Sequence, residues 1–266
     1  MRRKVLLLGQ SKAGKSSMRA VVFSNCSPEL TSRLGPTCGA EPFPVKLVSG
    51  VVINLLDFGK GGEHLASAHL STCSAVVYVF GLEVEEADLV EFEHAMAQLP
   101  SQGCGVFVML NKRDGNEGRG EEELRMRILA RIPPHLESPT LYCTSIYNSS
   151  LIEAWSGVVQ FLLADSKLNG LMRQLGHVLD ANHVVLIHRE YSLVLNQTNA
   201  PQWEFAHQLK TFRTLTGIGL QGVESHNAQL IGFTPGTLLL LEPPLGKEDL
   251  VNATLAAFLQ AKHLVL

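Results

Sequence analysis

The segment Gly9–Ser16 constrains the fold more than any other part of this chain, because it matches the phosphate-binding pattern GxxxxGK[ST]. The mostly apolar run Lys4–Leu8 has the length of a β-strand and directly precedes the pattern. Ser17–Phe23 then continues as a predicted helix. A strand, a glycine-rich turn and a helix in this order form the setting in which the pattern binds phosphate. The alternative is a glycine-rich turn that holds no ligand, and the complete match in this setting disfavours it.

The residue types at these positions suit a nucleotide phosphate. Gly9 and Gly14 lack a Cβ, so the backbone can approach phosphate oxygens closely. The N–H groups of the loop and of the helix N-terminus present positive partial charge to the anion. Lys15 is expected to reach the β- and γ-phosphates, and the Ser16 hydroxyl to bind Mg²⁺. The predicted nucleotide contacts in this stretch are Gly9, Gln10, Ser11, Lys12, Ala13, Gly14, Lys15, Ser16 and Ser17.

The composition is that of a folded protein with no general attraction to nucleic acid. The chain has 266 residues, of which 45% are hydrophobic and 18% charged, enough for one large or two ordinary domains. The net charge of −3 gives no pull toward nucleic acid. Five scattered cysteines without a CxxC pair suit a reducing compartment. No apolar stretch approaches the ~18 residues of a spanning helix, and lipidation motifs are absent, so we expect no direct membrane insertion.

Strand and helix patterns alternate from the glycine-rich turn as far as residue 165. The predicted strands after the first helix are Pro44–Val48, Val51–Asp57, Ala75–Phe80, Val106–Leu110 and Leu141–Cys143. The predicted helices cover residues 89–99, 119–132 and 151–163. This alternation predicts an α/β domain with a mostly parallel sheet over residues 1–165. Ligands bind beyond the carboxyl ends of such strands, so the segments that follow them should meet at one edge: Gly9–Ser16, Asp57, Asn111–Asp114 and Thr144–Ile146.

Residues 111–114 match the pattern NKxD, which favours a guanine base over adenine. The Asp114 carboxylate can accept hydrogen bonds from guanine N1–H and from the 2-amino group. Adenine offers neither donor, and an unpaired buried group costs about 1–3 kcal/mol, more if charged. The Lys112 stem can lie along the base, and Asn111 can tie this loop to the phosphate-binding loop. The groups expected to meet guanine O6 are the backbone N–H groups of Ser145 and Ile146. A polar loop that merely caps the next helix is the alternative.

The pattern changes after Asp165 to that of a separate α+β domain, residues 166–266. Amphipathic helices are predicted over residues 168–179 and 205–215, and a final helix over residues 249–263. The predicted strands are His183–Ile187, Tyr191–Leu195, Ala228–Phe233 and Thr237–Leu241. The last two are expected to form a hairpin that turns at Pro235–Gly236.

The motifs resemble those of the small GTPases. Over nearly the whole chain the sequence is similar to one branch, the Rag/Gtr GTPases, particularly the A/B-type subunit. The segments that carry the resemblance are Gly14–Arg19, Phe23, Asn25, Arg33–Thr37, Val52–Leu55, Tyr78–Phe80, Thr144–Ile146 and Ala154–Ser156. These motifs are specific in the first domain and diffuse in the second.

The resemblance implies a function and a set of partners. It implies GTP/GDP and Mg²⁺ as cofactors, with Ser16 and the switch I residue Thr37 at the metal, Asp57 holding the metal through water, and Lys15 and Thr37 in catalysis. It implies that the second domain is a roadblock (longin-like) fold that pairs with a C/D-type Rag GTPase. Further implied partners are a GTPase-activating protein, a TOR complex subunit and a scaffold that recruits the cytoplasmic protein to the lysosome or vacuole surface. Thr37 as an ordinary loop threonine and Asp57 as a helix-capping carboxylate are the alternatives.

The segment after Asp57 departs from the family pattern. A GTPase usually has DxxG there, at switch II, often followed by Gln, whereas this chain has Lys60 in place of the glycine and Gly61 one position later. No Gln stands where the attacking water would be oriented, and the roles of Glu63 and His64 are open. We therefore expect either a switch with slow GTP hydrolysis or a nucleotide-binding scaffold that hardly hydrolyses GTP. The guanine pattern disfavours a P-loop kinase or ATPase.

Overall fold

A computed structural model of the chain describes residues 2–47, 50–59, 63–113, 120–164, 183–197, 224–225, 228–234 and 237–242, with single positions 170, 174 and 177. The chain divides into two compact units, Met1–Val158 and Val159–Leu266. The predicted domain boundary after residue 165 stays a prediction.

The first unit is built around a six-stranded sheet. Its strands are β1 (Arg2–Gly9), β2 (Ala40–Lys46), β3 (Val52–Phe58), β4 (Ala75–Phe80), β5 (Gly105–Asn111) and β6 (Thr140–Thr144). The helices as far as residue 163 are α1 (Lys15–Phe23), α2 (Glu63–Leu70), α3 (Glu86–Ala97), α4 (Glu121–Leu129) and α5 (Ser150–Leu163), with a 3₁₀ helix at Pro28–Arg33; the division between the units falls within α5. The strand order is β2-β3-β1-β4-β5-β6, and every neighbouring pair is parallel except β2 with β3. The predicted mostly parallel α/β sheet is confirmed.

The core lies on both faces of the central strands. All residues of β4 and β5 are buried, as their continuous apolar runs predict for parallel strands that are covered on both faces. Tyr78, Phe80 and Phe92 pack ring against ring between β4 and α3, with centroids 4.9–5.5 Å apart. Trp155 is also buried and meets Phe23 edge-on at 5.0 Å.

Several predicted boundaries were wrong. β2 begins at Ala40 rather than Pro44, because an edge strand tolerates proline, which donates no ladder hydrogen bond. The 3₁₀ helix and α2 were not predicted at all, since Asn25–Pro36 is polar and α2 follows a glycine-rich loop. Helix α4 covers Glu121–Leu129, where Arg119–Ile132 was expected.

The second unit contains a five-stranded sheet in the order β8-β7-β11-β10-β9. Its strands are β7 (His183–His188), β8 (Val194–Gln197), β9 (Glu224–Ser225), β10 (Ala228–Thr234) and β11 (Thr237–Glu242). All neighbours are antiparallel, and β10 and β11 pair as the predicted hairpin requires. Its predicted turn and the three predicted helices lie essentially outside the described residues, and the roadblock assignment stays a prediction.

Strand β8 was predicted to begin at Tyr191, but it begins at Val194. Tyr191 instead lies in the turn after β7, where its ring stacks on His188 at 4.5 Å. The Tyr191 N–H also donates to His188 Nδ1, and Ser192 has a φ of 55°, so the backbone cannot continue as a strand. His188 is thus a buried residue with hydrogen-bond and ring contacts.

Within the described ranges, none of the helices combines the length and the apolar character that a bilayer crossing requires.

Candidate functional site

The glycine-rich turn lies at the carboxyl edge of the sheet, between the end of β1 at Gly9 and the start of α1 at Lys15. Its two glycines are needed for contacts inside the protein. Gly9 has a φ of 120°, and a Cβ there would lie 2.1 Å from the Val79 carbonyl oxygen of β4. Gly14 has a φ of 97°, and its Cβ would lie 2.6 Å from Asn111 Nδ2. We predicted that both glycines make room for phosphate oxygens. In the structure, the close approach of β4 to Gly9 and of the NKxD loop to Gly14 already requires glycine at both positions.

Lys15 is held over the turn that it follows. Its Nζ donates to the carbonyl oxygens of Gly9 at 2.6 Å and Gln10 at 2.9 Å, and the residue is buried. The ammonium group is therefore positioned above the loop where the nucleotide phosphates were predicted to bind. An incoming phosphate oxygen would compete with these carbonyls for the same N–H donors.

Gln10 braces the turn, although it was predicted to contact the nucleotide. Its backbone N–H donates to the Val79 carbonyl at 3.1 Å. Its side-chain Nε2 donates to the Glu83 carbonyl and to Asp88 Oδ2, and its Oε1 accepts from the Gly81 N–H at 2.8 Å. Both polar ends of the residue thus connect the turn to the end of β4 and to α3.

The NKxD loop is joined to the glycine-rich turn by side-chain contacts. Asn111 is buried at the end of β5, and its Nδ2 donates to the Ala13 carbonyl at 2.7 Å, which is the predicted link between the two loops. The Lys112 Nζ donates to the Lys12 carbonyl at 2.8 Å. Thr144 Oγ1 lies 3.2 Å from Asn111 Oδ1, so β6 also orients this amide. Asp114 lies outside the described residues, and its role stays a prediction.

A cleft of about 460 Å³ opens beside these loops, at the predicted place of the base. Ile146 lines it, as do Ser17 and Thr31. The sequence did not single out Leu82 and Tyr147, which are 46% and 55% exposed and offer apolar surface on this cleft. No pattern along the sequence indicates which large side chains are exposed, so these two residues could not be predicted.

The Ser145 N–H donates to Ser150 Oγ at 2.9 Å in this structure. The predicted contact between that N–H and guanine O6 therefore requires the Ser150 hydroxyl to give up the bond or to share it. The Ser11 and Lys12 side chains are exposed at the tip of the turn, whereas Ala13 is buried.

The predicted Mg²⁺ ligands Ser16 and Thr37 are brought together across a second cleft of about 550 Å³. Ser16 Oγ and Thr37 Oγ1 lie 2.6 Å apart, although the residues are 21 positions apart in the chain. Neighbouring oxygens in an octahedral Mg²⁺ shell with bonds of 2.0–2.1 Å are about 2.9 Å apart. The two hydroxyls are thus close to the separation that shared coordination needs.

Thr37 is held there by a backbone contact with the residue after β3. A Cβ on Gly59 would lie 1.9 Å from the Thr37 carbonyl oxygen, so only glycine allows this approach. The first residues after Asp57 and the predicted switch I are therefore in direct contact.

Asp57 carries the clearest sign of a site for an ion. Its side chain is completely buried, and Oδ2 accepts a hydrogen bond from Arg19 Nε at 3.0 Å. Its Oδ1 meets no hydrogen-bond donor within the part of the chain that the structure describes. Buried carboxylate oxygens are almost always partnered, so this oxygen fits the predicted bond to a Mg²⁺-bound water. Ser16, Thr37 and Asp57 are all oxygen donors, which is the ligand type that Mg²⁺ takes.

Sequence reasoning missed the role of Arg19. Besides its bond to Asp57, Arg19 Nη2 lies 3.2 Å from Glu41 Oε2 on β2, and its guanidinium carbon lies 5.0 Å from the centre of the Phe43 ring. Arg19 follows the glycine-rich turn on α1, but no local motif connects it to Asp57, 38 positions away.

These features have the arrangement of a P-loop GTP-binding protein, with phosphate, metal and base positions along the carboxyl edge of a mostly parallel sheet. Residues 4–217 match the family model described as the Gtr1/RagA G protein conserved region. The chain therefore belongs to the Gtr1/RagA family of GTP-binding proteins.

Three relatives illustrate the match. The chain is 34% identical over 212 residues to the GTP-binding protein gtr1 of Schizosaccharomyces pombe, covering 74% of this chain and 68% of that protein. It is 29% identical over 236 residues to the Ras-related GTP-binding protein A of Dictyostelium discoideum, covering 81% and 76%. It is 31% identical over 219 residues to the GTP-binding protein GTR1 of Saccharomyces cerevisiae, covering 74% and 69%.

Proposed function

We propose that this chain is a guanine-nucleotide switch of the Rag type, which alternates between GTP- and GDP-bound states. The observation that carries the proposal is the contact between Ser16 Oγ and Thr37 Oγ1, taken with Asp57 Oδ1, which meets no donor among the described residues. These groups come from α1, switch I and the end of β3, the segments expected to hold a γ-phosphate and its metal. GTP would hold Thr37 there, and its hydrolysis would release it.

The chain's own groups have separate parts in this proposal. Lys15 would move from the loop carbonyls to the β- and γ-phosphate oxygens, because charge-assisted bonds are the stronger ones. Bound Mg²⁺ would neutralise charge on those oxygens. Ser16 and Thr37 would orient their hydroxyl oxygens toward the metal, and Asp57 would hold a metal-bound water through Oδ1. Lys112 and Ile146 would flank the base, and Asp114 would select guanine.

The binding test compares GTP, GDP and ATP by thermal shift, with and without Mg²⁺. We expect stabilisation by both guanine nucleotides and none by ATP, with a larger Mg²⁺ dependence for GTP. Asp114→Asn should shift the preference toward xanthine nucleotides, because an amide can donate to the 2-oxo group. Unchanged GTP affinity in that variant would show that Asp114 does not select the base.

The family membership supports a proposal about partners. We propose that residues 166–266 form a roadblock-like domain that pairs with a C/D-type Rag GTPase. Among the described residues, the outermost strands of the second unit's antiparallel sheet are the short strands β8 and β9, and outermost strands are the ones that can pair with another chain. The heterodimer would signal amino-acid sufficiency to the TOR kinase complex from a scaffold on the lysosome or vacuole surface, with a GTPase-activating protein resetting it.

Co-expression with a C/D-type Rag chain tests the pairing. We expect a one-to-one complex of the full-length chains on gel filtration. The same chain cut after residue 165 should lose the partner and keep its GTP binding. A complex that forms equally well with this truncated chain would place the interface elsewhere.

A nucleotide-binding scaffold with negligible hydrolysis is the second candidate. The absence of Gln after Asp57 in the sequence favours it, because no such residue is available to orient the attacking water. Single-turnover hydrolysis with and without an activating protein separates the two candidates. A scaffold should stay inactive in both conditions, whereas a switch should respond to the activator.

A further inference from the structure

Two cysteines meet at the edge of the sheet opposite the nucleotide site. Cys73 and Cys104 precede β4 and β5, and the two strands pair from Ala75 and Gly105 onward. Their Sγ atoms lie 3.3 Å apart, although the residues are separated by 31 positions. Both are free thiols. A disulfide bond is about 2.05 Å long, so the sulfur atoms need to approach by only about 1.2 Å.

The surroundings distinguish the two sulfur atoms. Cys73 is buried and lies against the Leu70 carbonyl oxygen at 3.2 Å, whereas Cys104 is half-buried. The hydrogen bond from Cys104, assisted by the charge of Lys4, lowers the pKa of the Cys73 thiol. The same contact and burial raise the pKa of Cys104. The thiolate therefore forms more readily on Cys73, while Cys104 is the more exposed of the two residues.

We propose that Cys73 and Cys104 are a peroxide-sensitive pair that closes to an intramolecular disulfide. The Cys73 thiolate attacks one oxygen of hydrogen peroxide, the O–O bond breaks, and the departing hydroxide takes a proton to leave as water. The Cys104 sulfur then attacks the resulting sulfenic acid, loses its proton, and displaces the hydroxyl group as a second water. Overall, two thiols and one hydrogen peroxide give one disulfide and two waters, and the two electrons come from the sulfur atoms.

The disulfide would constrain α2 from its C-terminal end. Helix α2 ends at Leu70, and Leu70, Ala66 and Cys73 belong to one apolar cluster. Joining Cys73 to Cys104 would link the turn after α2 covalently to the start of β5. Because α2 follows the segment that departs from the family pattern, oxidation would stiffen the chain beside switch II without touching the nucleotide site.

The test uses the full-length protein, fully reduced and then exposed to a small molar excess of hydrogen peroxide. Free thiols are blocked with iodoacetamide, and the protein is digested without reductant for peptide mass spectrometry. We expect a linked peptide that joins Cys73 to Cys104 and disappears on treatment with dithiothreitol. The exposed Cys38 should remain alkylated under the conditions that close the pair.

Two further measurements distinguish a disulfide that changes stability and mobility from two cysteines that only pack against each other. Oxidation should raise the melting temperature of the wild type and of Cys38→Ser by the same amount, and leave that of Cys104→Ser unchanged. Amide hydrogen exchange should slow within α2 only in proteins that can form the bond. The proposal is overturned if, after peroxide treatment, Cys73 and Cys104 are recovered in alkylated form, or if they oxidise separately to sulfinic acids. It is also overturned if linkage to Cys26 or Cys143 predominates. The peptide map of the wild type decides this even if a variant fails to fold.

Discussion

Arg19 Nε lies 3.0 Å from Asp57 Oδ2, and this bond joins the first turns of α1 to the end of β3. The Asp57 side chain is completely buried, while that of Arg19 is 18% exposed. The arginine therefore compensates the charge of a buried carboxylate. It occupies one carboxylate oxygen and leaves the other facing no donor among the described residues.

Removing this arginine should destabilise the protein strongly. We expect Arg19→Ala to lower the free energy of unfolding by about 3 kcal/mol, because it leaves a buried carboxylate uncompensated. Urea unfolding without nucleotide or Mg²⁺ measures the change. Arg33→Ala removes an exposed arginine and serves as the matched control, with little expected effect.

A double-mutant cycle tests whether the effect acts through Asp57. Combining Arg19→Ala with Asp57→Asn should cost less than the sum of the single changes, since no buried charge is left uncompensated. Strict additivity would mean that Arg19 stabilises the fold through Glu41 and Phe43 alone.

Asn111 should matter equally for both guanine nucleotides. Asn111→Ala leaves the Ala13 carbonyl without its donor and removes the Thr144 contact, a loss of about 1–3 kcal/mol. We expect weaker binding of GTP and GDP by similar factors, because the phosphate loop itself loses its support. Fluorescent-nucleotide titration measures both affinities. Gln102→Ala removes an amide from an exposed loop and should change neither.

Thr37 should affect GTP and leave GDP binding nearly unchanged. Thr37→Ala removes one of the two hydroxyls that meet at 2.6 Å, and only the γ-phosphate state is expected to use it. Titration of both nucleotides at several Mg²⁺ concentrations should show a selective loss of GTP affinity and a weaker Mg²⁺ dependence. Thr140→Ala, at an exposed position of β6, is the control. Equal losses for GTP and GDP would argue for an ordinary loop threonine.

Intrinsic GTP hydrolysis should be very slow. We expect rates on the order of 10⁻⁴ per second, as in GTPases that lack a complete water-positioning and arginine set, and a rise of about 10³–10⁵ with an activating protein. Single-turnover hydrolysis with purified protein measures this. A rate near one per second (~1 s⁻¹) without a partner would contradict this expectation of slow hydrolysis. If Lys60→Ala then abolished that rate, Lys60 would be supplying the missing charge.

The local patterns of this chain were enough to predict much of the first unit. β4 was predicted with its observed bounds, Ala75–Phe80, because a short, continuous apolar run is typical of a buried strand. The glycine-rich turn was placed correctly between a strand and a helix, and the link from Asn111 to that turn was anticipated. Such features depend on residues close together in sequence or on a spacing that the chemistry of phosphate and guanine requires.

The sequence alone determined the class of protein, the succession of strands along the first unit, and the segments expected to gather at the carboxyl edge of the sheet. Only the tertiary structure decided which side chains share that edge. It paired Arg19 with Asp57, engaged both ends of Gln10 inside the protein, and brought Gly59 against Thr37. It also placed Cys73 beside Cys104. These contacts join residues that lie in different segments of the chain and are distant in sequence. Only folding brings them together, so no periodicity or motif along the sequence predicts them.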